Sequence, residues 1–92
     1  MDNARAHVIV SGMVQGVFFR ADAREQAREL SLTGWVKNCW GGNLEVVLEG
    51  NKKDIEKMID WLHTGPPSAR VEEVKVEWEE PTGEFDTFFV NY

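Results

Sequence analysis

The stretch AHVIVSGMVQGVFFRADAREQA (Ala6–Ala27) contains a change of period that decides the fold. Ala6–Ser11 alternates, with Ala6, Val8 and Val10 on one side and His7, Ile9 and Ser11 on the other, the two-residue period of a strand. From about Phe19 the period lengthens. Ala23, Ala27 and Leu30 are spaced four and three apart, and Asp22 and Glu25 come early, where a helix dipole favours acids. The small alanines predict a helix lying close against a sheet. Between the two patterns runs GMVQGVFFR (Gly12–Arg20), with two glycines and no charge until the arginine.

Further along the chain, Thr33-Gly34 is read as the stop of that helix and Trp35–Cys39 as a second strand. Gly41-Gly42-Asn43 is a turn signal, and Leu44–Glu49 completes a hairpin. Gly50-Asn51 opens a second helix with Asn51 as its N-cap, and Ile55, Met58, Ile59 and Leu62 follow helical spacing as its apolar face. Gly65-Pro66-Pro67 ends it. Val74, Val76 and Trp78 alternate with Glu73, Lys75 and Glu77, Pro81-Thr82-Gly83 turns the chain, and Phe85–Tyr92 is β-rich. The order is βαββαβ with a short terminal strand. It predicts an α+β ferredoxin-like sandwich, an antiparallel four-stranded sheet with two helices on one face.

The 92 residues suit one domain, 1–92, and 42% apolar composition with four Trp and five Phe suits a folded core. The net charge of −6 disfavours nucleic acid and anionic membranes as partners, because both are bound by neutralising phosphates with Lys and Arg. An anionic ligand would need a local site working against the overall field. The start of the chain lacks a signal-peptide core, and no apolar run is long enough to span a membrane. Cys39 is the sole cysteine, so no internal disulfide forms. The expectation is a cytoplasmic protein.

A turn from strand to helix can aim several backbone N–H groups at one point, where the helix dipole adds positive potential. Gly12 and Gly16 would give the loop its curvature. Gln15, Val17, Phe18 and Phe19 would supply N–H groups while excluding water, and Arg20 would add a planar fork matched to two phosphate oxygens. No Gly-Lys-Ser/Thr follows, so this is not a nucleotide loop. The competing reading is an ordinary connection with Arg20 in a surface ion pair. Asn38, near a strand end, carries an amide able to accept from water and donate to an anion, yet Asn before a turn is also common turn chemistry.

GMVQGVFFR resembles the acylphosphatase family signature Gly-x-Val-Gln-Gly-Val-x-Phe/Met-Arg at every fixed position. GWVKNCWGGNLEVVLEG (Gly34–Gly50) resembles that family's second signature, departing at Leu44, where valine is usual, and FFVNY resembles its last strand. The resemblance implies a cofactor-free, metal-independent, monomeric hydrolase that cleaves the carboxyl–phosphate bond of acyl phosphates. It implies that Arg20 binds the phosphate, that Asn38 orients the attacking water, and that the backbone of Gln15, Gly16, Val17, Phe18 and Phe19 forms the phosphate cradle. The rival is a non-catalytic module binding phosphate or a phosphometabolite. The acylphosphatase-like module of larger carbamoyl-transfer maturation proteins is disfavoured by the absence of a following zinc motif.

The remaining residues have plainer readings. A phosphocysteine route through Cys39 is disfavoured because no cysteine lies in the loop before Arg20. His7 and His63 read as structural or solvated, Trp35, Trp61 and Trp78 as packing, and Trp40 as surface packing or a border of the substrate mouth. The Glu-rich segment from Glu72 to Glu80 reads as a solvated face that blunts edge pairing.

Overall fold

The computed structural model describes residues Asn3–Asn91. Strand β1 (Asn3–Met13), helix α1 (Phe19–Glu29), strand β2 (Thr33–Asn38), a short 3-10 turn (Trp40–Gly42), β3 (Leu44–Asn51), α2 (Lys52–Thr64), β4 (Arg70–Glu79) and β5 (Phe88–Val90) follow in chain order. The sheet runs β4-β1-β3-β2-β5. Its first three contacts are antiparallel, and β5 lies parallel to β2, with Gly34 opposite Phe88 and Val36 opposite Val90. This is the ferredoxin-like α+β fold expected from the element order, with the short terminal strand added at the β2 edge.

Strand alternation determines which face is dry. Ala6, Val8 and Val10 of β1, Val36 of β2, Leu44, Val46 and Leu48 of β3 and Phe88 of β5 are buried in register with one another. Over them lie Ala23 and Ala27 of α1 and Ile55, Met58 and Leu62 of α2, all in one cluster. The alanine stripe lets α1 approach β2 and β5 closely, while α2 covers β1, β3 and β4. Asn51 caps α2 as expected, its side chain accepting from the Lys53 N–H at 2.9 Å.

Three sequence readings are corrected. Helix α1 ends at Glu29, and Thr33-Gly34 already belongs to β2. What stops the helix is Ser31, whose φ of 58° is left-handed. Cys39 lies outside β2, in the turn. The terminal strand is only Phe88–Val90, joined to β2 from Thr87, whose carbonyl accepts from the Gly34 N–H at 3.1 Å, and Tyr92 lies outside the described residues. The acidic strand β4 is an edge strand as read, although Glu79 is engaged by Arg5 at 2.9 Å.

Candidate active site

The loop from Val14 to Phe18 joins β1 to α1, and its curvature comes from two left-handed residues, Gly16 at φ 73° and Phe18 at φ 61°. Gly12 does not belong to the loop, contrary to the sequence reading. It lies in β1, where the pairing with β4 shifts register, and a Cβ there would sit 2.1 Å from the carbonyl oxygen of Arg70. Its role is to let β4 approach. Around Gly16, by contrast, a Cβ would meet open space, so that glycine serves the backbone angle alone.

Phe18 occupies the N-cap position of α1 and makes no side-chain cap. Phe18 thus offers the first N–H groups of α1 no side-chain acceptor, whereas Asn51 serves the Lys53 N–H of α2. This open helix end lines a cleft of about 370 Å³, together with Val14, Gly16, Phe18, Phe19, Arg20, Ala21, Arg24 and Val90. Among the described residues, two guanidinium groups and no carboxylate line it, in a chain whose net charge is −6. A helix start without a side-chain cap, its dipole and two cations together make a place for an anion.

The candidate residues divide between two depressions. Gly16, Phe18, Phe19 and Arg20 line the cleft, while Gln15 and Val17 are not among its lining residues. Val17 packs partly buried against the core. Phe19 is buried and meets Trp61 edge-on at 5.5 Å, but Phe18 is 81% exposed, so it does not exclude water as expected. Asn38 lines a neighbouring hollow with Lys37, Cys39, Trp40, Gly41 and Glu45. Val36, two residues earlier on the same face of β2, pairs with Val90 of the cleft wall, so the hollow adjoins the cleft along β2.

Gln15 connects the two. Its Nε2 donates to the carbonyls of Cys39 at 3.1 Å and Asn43 at 2.9 Å, one on each side of the Trp40–Gly42 turn. The sequence reading assigned Gln15 a backbone N–H and missed this clamp. Trp40 is 95% exposed beside Asn38, so it does not pack on the surface. Burial, with Glu45 nearby and only partly opposed by Lys37, holds the Cys39 thiol above its ordinary range. A thiol kept protonated is a poor nucleophile. His7 pairs with Glu45 at 2.6 Å on the face of the sheet away from the helices, and the His63 ring bonds the Ile59 carbonyl at 2.9 Å. Among the described residues, no three His, Cys, Asp or Glu side chains gather as metal ligands would.

Val14, Ala21, Arg24 and Val90 also line the cleft, and the sequence reading gave none of them a role there. Arg24 was legible in principle, since it stands four residues after Arg20 and so shares a helix face with it. Val90 was not, because its place depends on β5 pairing with β2.

The site and fold together define a ferredoxin-like domain with an arginine-lined cleft at the mouth of its first helix. The acylphosphatase family model matches residues 6–90. An acylphosphatase of Roseiflexus sp. (strain RS-1) is 56% identical over 84 residues, 91% of this chain and 90% of that one. One from Pelotomaculum thermopropionicum is 49% identical over the full length of both chains. The solved structure of an acylphosphatase from Coxiella burnetii superposes with a TM-score of 0.91 at 43% identity, covering 98% of this chain and 94% of that one. The chain belongs to the acylphosphatase family and is an enzyme of that class, an acyl-phosphate hydrolase.

Proposed function

We propose that residues 1–92 act as one monomeric unit in which Arg20 and the backbone of residues 15–19 hold the phosphate of an acyl phosphate while Asn38 orients the attacking water. The observation that carries this reading is the uncapped start of α1 opening into the Arg20 cleft. Arg20 offers two parallel donors to two phosphate oxygens, and the loop amides supply the rest of the ring. Water attacks phosphorus, and the bond from phosphorus to the carboxyl oxygen breaks. The electron pair leaves with the carboxylate and the water proton ends on phosphate.

This chemistry asks little of the protein. A carboxylate leaving group, with a conjugate-acid pKa of about 4.3, departs without a proton. Charge in phosphoryl transfer spreads over the equatorial oxygens, so positioning and electrostatic stabilisation carry the catalysis. Arg20, the amides and one oriented water then suffice.

The test is hydrolysis of benzoyl phosphate. Arg20→Ala should lower turnover by about a thousandfold and abolish inhibition by inorganic phosphate. Asn38→Ala should lower turnover comparably while phosphate still inhibits. Arg20→Lys should fail as well, since a point charge cannot replace the fork. Full activity in Arg20→Ala would overturn the mechanism, and phosphate binding without turnover in the unaltered protein would leave a binding module.

A further inference from the structure

Helix α1 carries arginines at positions 20, 24 and 28, a spacing of four that puts them on one face. The third is engaged, its Nε donating to the Phe88 carbonyl of β5 at 3.0 Å. The first and second both line the cleft. Arg24 differs from its neighbours in one respect: its Nε is buried and has no hydrogen-bond acceptor. Among the described residues it has an ion pair with Glu25, whose carboxylate lies 3.8 Å away, beyond hydrogen-bond reach, on an adjacent residue that faces another side of the helix. A buried donor without an acceptor is costly, and among the described residues no carboxylate lines the cleft in front of it.

We propose that Arg24 is a specificity-determining residue that binds a second anionic group on the acyl portion of the substrate. The preferred substrate class is then acyl phosphates whose acyl chain ends in a carboxylate or similar anion. This rests on the reading of the Arg20 cleft as the acyl-phosphate site. Four residues of helix separate the two arginines by about 6 Å along the axis, the span of a short dicarboxylic acyl chain between its phosphate and its far carboxylate. Arg24 lines the same cleft one helical turn further from the phosphate loop. Val14, Ala21 and Val90, small and apolar, leave room for the chain between them. The helix field and Arg20 draw in the phosphate, and Arg24 reads the distal charge.

The test compares fumaroyl phosphate with its methyl ester, two rigid substrates of like shape that differ in the distal charge. The unaltered protein should favour the acid by about tenfold in kcat/KM, as expected for one partly desolvated charge pair. In Arg24→Gln the ratio should fall to near one, in Arg24→Lys it should be partly kept, and in Arg24→Glu it should invert. Lys53→Gln, a charge change of the same size on the exposed start of α2, should leave the ratio alone. A ratio near one in the unaltered protein, or one unmoved in Arg24→Gln, overturns the proposal even while both substrates turn over. An equal fall on both substrates in Arg24→Gln also overturns it, since it makes Arg24 part of the phosphate ring. If neither substrate is hydrolysed, the assignment of the cleft to acyl phosphates falls first and this proposal with it.

Discussion

Phe18 and Phe19 are identical and adjacent, yet the fold uses them in opposite ways. Phe19 fills the core against Trp61, while Phe18 projects 81% exposed from a left-handed backbone. That backbone costs a non-glycine residue about 1–3 kcal/mol. Phe18→Gly should therefore shift stability by no more than about 1 kcal/mol in urea denaturation, because relief of strain offsets the greater freedom of the unfolded chain. Phe19→Ala should cost about 3–5 kcal/mol in the same measurement. A large loss in Phe18→Gly would mean that its side chain packs on something that 81% exposure rules out. The residue-scale contrast was not legible in the sequence, since nothing in the letters FF says which ring turns inward. Periodicity carried the reading only as far as the helix start.

At the scale of elements, the candidate site depends on two connections, β1 to α1 and β2 to β3, fastened by the Gln15 amide. Gln15→Ala removes both bonds to the Cys39 and Asn43 carbonyls and frees the turn that follows Asn38. Small misplacements of reacting groups are expensive, so kcat should fall by about 10- to 100-fold. Inhibition by inorganic phosphate should weaken far less, because Arg20 and the helix start remain. Equal losses in both quantities would show that Gln15 shapes the phosphate loop rather than the turn. The elements themselves were largely legible: strand alternation, the Asn51 cap and the apolar face of α2 all lie where the sequence puts them. Helix α1 was misjudged at its end because its stop is a left-handed serine, a conformation glycine usually supplies. The clamp was invisible because it joins residues 24 and 28 positions apart.

Across the whole molecule, the end of the sheet away from the cleft is closed by a buried charge. Glu49 is 5% exposed, and Arg5 Nη1 meets it at 2.7 Å while the Thr82 and Gly83 N–H groups and the Thr82 hydroxyl donate to the same carboxylate. Arg5 also reaches Glu79 and Glu84. Burial by itself would raise the pKa of Glu49, but these donors together outweigh it and hold the group at about 2, from an ordinary value near 4.5. Because the folded value is the lower, the stabilisation is fully present above about 4.5 and fades as pH falls toward 2. It amounts to about 3 kcal/mol. Glu49→Gln should therefore lose roughly that much stability at neutral pH and little near pH 2, read from denaturation midpoints across the range. A loss independent of pH would assign the effect to packing. Strand alternation puts Glu45, Val47 and Glu49 on one face of β3, and Glu49 is buried because Thr82 and Gly83 fold across it.

The pairing of β5 with β2 has a consequence for the order in which the protein is made. Val14 follows β1, the first element, and Val90 belongs to β5, the last, yet both line the same cleft. During synthesis, every other wall of the site emerges before the one that Val90 supplies. The Phe88 carbonyl that anchors Arg28 arrives with it. A nascent chain released before Phe88 would carry the phosphate loop, Arg20 and Asn38 but an unfinished cleft, so the site cannot be completed before the final strand is in place.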